Sequence, residues 1–204
     1  MTDEGTIWLV RHAPTEWTGT RWTGARTDPP LSDAGREVAA ALAAAVTGSL
    51  VPGTQVLSSP SRRAIETARP IAAGLGAGIE IDDDLRETDI GELDGLTFDE
   101  TRTRYPELAR KLLAADPEVD WPGGERAADL RVRVAAAWER LAARAGDRHL
   151  VAVSHGGVIS ELIRLVLGDD IANAERWLDP GTAVALHGRD GAWRLGERIP
   201  AVGA

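Results

Sequence analysis

The chain has 204 residues and no cysteine. That absence rules out disulfides, thiolate metal ligands and a cysteine nucleophile together. Apolar residues nowhere run on for the roughly eighteen positions that a membrane-spanning helix needs. The first ten residues, MTDEGTIWLV, have no basic start and no long apolar centre, so they do not read as a secretory signal. Positive charge is also scarce: 23 Lys and Arg stand against 32 Asp and Glu, for a net charge of −9. Such a balance argues against non-specific binding to nucleic acid. Lys111 is the single lysine, and the arginine bias carries no functional weight. Linkers, repeats and low-complexity stretches are missing as well. The expectation is one domain over residues 1–204 in a soluble, cytoplasmic protein with neither a membrane nor a nucleic-acid partner. A domain of this size buries roughly 70% of its unfolded surface, so it needs no disulfide or metal to fold.

What is present alternates between strand and helix patterns. Ile7–Val10 is apolar, partly β-branched and of strand length. From Leu31 an alanine-rich helix follows, with Ser32 or Asp33 as its cap. Thr54–Ser59 reads as a second strand leading into the helical stretch PSRRAIETARPIAAGLG, and Ile79–Asp82 as a third strand. Thr97–Ala115 reads as irregular helix, DPEVDWPGGE as a loop, and Glu125–Ala145 as a long helix with apolar spacing at Leu130, Val134, Trp138 and Leu141. HLVAVSHGG is a strand running into a turn, VISELIRLVLG a helix, and TAVALHG with AWRLGERI a closing hairpin. This alternation predicts a three-layer α/β/α fold: a mainly parallel sheet flanked by helices.

Chemistry gathers where the strands end. WLVRHAPTEW places Arg11 and His12 at the end of the first strand, with Pro14 supplying the turn. Ser58, Ser59 and Arg63 follow the second strand, Glu87 the third, and His155 the strand Leu150–Val153. In a parallel sheet these turns emerge on one edge, where ligands bind. Arginines fork onto phosphate oxygens, a neutral imidazole is a nucleophile, and a carboxylic acid can protonate a leaving alkoxide.

The motifs LVRHAPTEW, SSPSRRAIETA, LRETDIGELDGLT, WPGGE and VSHGG resemble, in order, those of the histidine phosphatase superfamily, also called phosphoglycerate mutase-like. The resemblance runs from Ile7 to about Ile163 and implies that superfamily's fold. It implies that His12 becomes phosphorylated, that Arg11, Arg63 and a protonated His155 form the phosphate pocket with Gly156 beside them, and that Glu87 donates the proton. Thr18 falls at a phosphate-contacting position that is often asparagine, and Thr23 and Gly24 fall in the substrate loop. Ala13 for glycine, Pro14 for glutamate and Thr18 for asparagine are departures from the pattern. The resemblance implies no metal and no cofactor.

The expected activity is hydrolysis of a small phosphomonoester metabolite through phosphohistidine. Cofactor-dependent phosphoglycerate mutase, α-ribazole phosphatase and a non-catalytic phospho-ligand domain remain as alternatives, and a homodimer is compatible with each. The family's mutases carry a tyrosine just after the acid, where this chain has Ile90. Ser154 invites a serine-hydrolase reading, but VSHGG lacks the glycine-flanked serine of a nucleophile elbow. His149 and His187 match no motif and read as structural. Trp17, Trp22 and Trp121 lie in or beside the motif loops, as an apolar mouth to the pocket would require.

Overall fold

The computed structural model describes residues 4–50, 53–114, 119–146, 148–189 and 191–201. Its strands are β1 (Gly5–Arg11), β2 (Gln55–Ser58), β3 (Ile79–Ile81), β4 (His149–Ser154), β5 (Ala183–Arg189) and β6 (Ala192–Ile199). They form one six-stranded sheet in the order β3-β2-β4-β1-β5-β6. The first four strands run parallel to one another, and β5 and β6 add an antiparallel hairpin beside β1. The sheet is therefore mixed, with a parallel body.

Seven helices connect the strands in the described residues: α1 (Asp33–Thr47), α2 (Arg62–Leu75), α3 (Phe98–Arg104), α4 (Pro106–Leu113), α5 (Ala127–Ala145), α6 (Gly156–Leu167) and the short α7 (Asn173–Arg176). Ser32 caps α1 by accepting from the Gly35 amide. The irregular helical stretch resolves into two helices. Thr97 closes a capping box at the start of α3, and Pro106 takes the first position of α4, where a missing N–H costs nothing. Ala115 and the start of the Pro/Gly-rich loop lie outside the described residues. The long helix begins at Ala127, not Glu125, because the Glu125 side chain is held by Arg133 and its amide by Asp89. Two 3₁₀ turns, Asp83–Leu85 and Gly91–Leu93, had no sequence signal strong enough to foresee.

Alternation along β1 builds two cores. Ile7 and Leu9 face one side with Val134, Leu141 and Ile159 of α5 and α6. Trp8 and Val10 face the other with Leu42, Val46 and Ile71 of α1 and α2. Both faces are thus covered, as near-continuous apolar strands require. None of the described helices is long and apolar enough to cross a membrane. Packing both faces leaves the carboxyl edge of the parallel strands for the side chains that follow β1, β2 and β4.

Candidate active site

His12 sits one residue beyond β1 and is 7% exposed. Its amide donates to Ser154 O at the end of β4, so the two strand ends are tied together. Nδ1 lies 2.9 Å from the Ala13 carbonyl, which can only accept, so Nδ1 carries the proton and Nε2 keeps its lone pair. Burial, then the charges of Arg63 and Arg11, pull the His12 pKa down to about 3. The ring is therefore neutral across the ordinary pH range.

Arg63, in the first turn of α2, is fully buried. Its guanidinium donates to Thr27 O at 3.1 Å and to Gly24 O at 3.2 Å, with Asp28 at 3.3 Å. Asp94 holds that loop in place by accepting from the amides of Gly24, Arg26 and Thr27 and from the Thr27 hydroxyl. Arg11 donates to Leu178 O at 2.6 Å and lies over the Trp177 ring, 5.1 Å from its centroid. A Cβ on Gly156 would stand 2.9 Å from Arg11 Cζ, so the glycine is what lets the guanidinium lie against the start of α6.

The His155 ring is fully buried, with its centroid 5.2 Å from that of His12. Its Nε2 is 2.8 Å from Ser59 Oγ, and its Nδ1 is 3.9 Å from Glu87 Oε2. Burial and the nearby Arg63 push its pKa well below the ordinary histidine value. Without ligand, desolvation and the charges of Arg63, Arg11 and Arg133 favour the neutral ring; the protonated form is the one expected opposite a bound dianion. Glu87 is driven the other way: burial raises its pKa against the pull of the Thr88 amide, Arg63, Arg11 and Arg133.

Among the described residues, Nε of Arg11, Nε of Arg63 and Nδ1 of His155 are buried with no hydrogen-bond partner. Two donors and a titratable nitrogen left open in one place form a deficit that an oxyanion's oxygens would satisfy. No group of three or more His, Asp or Glu among the described residues is arranged to hold a metal ion.

A cavity of about 770 Å³ opens outward from these groups. Arg11, His12, Thr18, Thr23, Glu87 and Gly156 line it, whereas Arg63 and His155 stand behind its inner wall. Thr18 reaches it from an exposed loop, and its hydroxyl already accepts from the Thr15 amide at 2.9 Å. Gly24 contributes through its backbone: its carbonyl fixes Arg63, and a Cβ there would meet Ile90 Cγ1 at 2.5 Å. Trp22 and Trp121 line the cavity as expected, but Trp17 lies under Arg21 with its centroid 6.0 Å from that guanidinium. His187 bridges the Thr6 hydroxyl and the Glu197 carboxylate, and with His149 it lines a separate cavity of about 600 Å³ away from the motif residues. Asp147, adjoining that region in sequence, lies outside the described residues.

The sequence placed Ser59 beyond the second strand without a specific partner, and it singled out none of Asp94, Glu125 and Arg133. Arg133, 7% exposed, forks onto Glu125 and donates to Asp84 O and Arg86 O, which fixes the segment entering Glu87. Glu125 and Asp94 both lie in the recognised motif stretches. That was the only available signal for them, since their partners are distant in sequence.

A family model, the histidine phosphatase superfamily (branch 1), matches residues 7–198. Glucosyl-3-phosphoglycerate phosphatase of Mycolicibacterium vanbaalenii is 36% identical over 174 residues, covering 81% of this chain and 75% of its own. Phosphoserine phosphatase 1 of Hydrogenobacter thermophilus is 30% identical over 164 residues, covering 80% and 77%. A bifunctional protein of Mycobacterium tuberculosis is 38% identical over 161 residues, and the matched region is 43% of its length. The chain thus spans less than half of the first curated relatives it matches. The solved structure of a mycobacterial glucosyl-3-phosphoglycerate phosphatase superposes with a TM-score of 0.79 at 29% identity, covering 94% of this chain and 97% of that one.

Proposed function

The chain belongs to the histidine phosphatase superfamily, branch 1, and on that premise we propose that it is a phosphomonoesterase working through a phosphohistidine on His12. The observation that carries the reading is the state of His12: a neutral ring, its Nδ1 proton fixed on Ala13 O and its Nε2 free, beside two buried arginines.

In the first step Nε2 of His12 attacks phosphorus in line with the ester oxygen. The P–O bond breaks, and the Glu87 carboxylic acid gives its proton to the departing alkoxide. Arg11 and Arg63 hold the charge on the transferring group, where positioning and electrostatics supply most of the rate. His155 is neutral without ligand, and a dianion close to it favours its protonation, so it adds a cation only as substrate arrives. In the second step Glu87, now a carboxylate, takes a proton from water. The water oxygen bonds to phosphorus, the P–N bond breaks, and inorganic phosphate leaves with His12 neutral again. Side chains perform every step, and a small-molecule phosphomonoester is the only partner required.

The test is rapid quenching with ³²P-labelled substrate. The expected product is an acid-labile, alkali-stable adduct that maps to His12 and is missing from His12→Ala. A His12→Ala protein that retained most of its turnover would remove the proposal.

A further inference from the structure

The phosphate-binding groups occupy one end of a cavity of about 770 Å³, and the remainder must receive the alcohol half of the substrate. Its walls there are dominated by apolar side chains: Trp22, Ile90, Phe98, Leu112, Trp121 and Leu130. Trp22 and Phe98 stand with ring centroids 6.1 Å apart, and Phe98 is 37% exposed. Trp177, on the same cavity, is 51% exposed. Large apolar side chains held open at the mouth of a site are costly for a free surface unless a ligand covers them. The charged residues on these walls, Arg21, Arg131, Glu161 and Arg176, all have partners within the protein. Arg131 Nε faces Glu161 Oε1 at 3.9 Å, Glu161 is gripped by Arg164, and Arg21 donates to the Gly95 carbonyl.

Resting on the phosphomonoesterase reading, we propose that the substrate class is phosphate monoesters of bulky, predominantly apolar, ring-bearing alcohols, with the ring lying against Trp22, Phe98 and Trp121. The phosphate end supplies the fixed polar anchor. The walls supply dispersion and apolar burial, and flat rings meet aromatic walls in the offset or edge-on geometries they favour. A small carboxylated or polyhydroxylated ester would leave the apolar walls wet and gain little from them.

The experiment compares alkyl esters with similar leaving groups, so that binding is separated from leaving-group ability: 2-(1-naphthyl)ethyl phosphate, ethyl phosphate, phosphoserine and 3-phosphoglycerate. The expected kcat/KM for the naphthyl ester exceeds each of the others at least tenfold. In Phe98→Ser and in Trp121→Ala that preference should shrink severalfold while ethyl phosphate turnover is retained; Phe98 is on the rim, so its variant keeps the fold even if the other does not. Equal kcat/KM across the esters, or a preference undiminished in Phe98→Ser, overturns the inference and leaves the phosphomonoesterase reading standing. Failure to hydrolyse any of the four overturns that reading itself.

Discussion

Nδ1 of His155 and Oε2 of Glu87 stand 3.9 Å apart, two enclosed titratable groups driven in opposite directions. Burial lowers the histidine's proton affinity and raises the carboxyl's, so both favour the uncharged form. An acid that holds its proton beside a neutral imidazole is prepared to give that proton to a leaving group.

Glu87→Gln should therefore lose activity according to the leaving group. Turnover of an alkyl phosphate should fall by ~10²–10⁴, the usual contribution of general acid catalysis. p-Nitrophenyl phosphate, whose leaving group needs little protonation, should lose far less in its phosphorylation step. Equal losses in single-turnover measurements would take Glu87 out of this role.

The pH profile follows from the same group. The wild-type kcat/KM for an alkyl phosphate should decline as pH rises through the raised Glu87 pKa, because the required acid form disappears. Its acid side should not be set by His12, which stays neutral down to about 3. The second ionisation of the alkyl phosphate itself, titrated separately, is divided out of the profile. An alkyl rate still climbing above about pH 8, beyond the range of a tuned catalytic glutamate, would contradict the assignment.

Stability should report the buried His12 directly. The unfolded chain takes up the His12 proton near pH 6.5, while the folded chain resists until about 3. Unfolding therefore binds a proton in that window, and His12 withdraws stability as pH falls through it. At about 1.4 kcal/mol per pH unit, wild type should lose about 2–3 kcal/mol more than His12→Asn between pH 6.5 and 4.5. Glu87, with its pKa raised, acts with the opposite sign and is common to both proteins. Denaturant titrations at the two pH values measure the difference, and identical losses would show that His12 titrates normally.

Gly156→Ala should be far more damaging than its size suggests. The new methyl would stand 2.9 Å from Arg11 Cζ and move the guanidinium. A displacement on the order of 1 Å can cost ~10²-fold in rate, so kcat/KM should fall by about that much and vanadate binding should weaken with it. Near wild-type kinetics would mean that Arg11 is not held where the phosphate binds.

Phosphate release should outrun isomerisation. Ile90 is a wall of the cavity where a tyrosine would stand, and its side chain cannot hydrogen-bond a substrate carboxylate. An open cavity also admits water to the phosphoenzyme. A coupled assay with 3-phosphoglycerate, with and without 2,3-bisphosphoglycerate, should show negligible 2-phosphoglycerate; mutase turnover exceeding phosphate release would reverse this conclusion.

The sequence alone determined the parallel sheet body, the closing hairpin and the positions of Arg11, His12, Arg63 and His155 at or shortly after strand ends, whereas Glu87 lies past β3 beyond the unforeseen Asp83–Leu85 turn. Those features are local. Apolar runs of strand length, the Ser32 cap and the residues immediately after each strand are written in contiguous residues. Only the tertiary structure decided what the site groups become. The neutrality of His155 is a sum over burial, Arg63 of α2, His12 and Arg11 at the end of β1, and Arg133 of α5, which meet only in the folded chain. Trp17 pairs with Arg21 and does not line the cavity, and the Thr18 hydroxyl, which does line it, accepts from the Thr15 amide of its own loop. Arg133 gained its place by reaching Asp84 and Arg86, which lie about fifty positions earlier in the chain. Periodicity records which face of an element is apolar, but desolvation and long-range partners exist only after the segments meet.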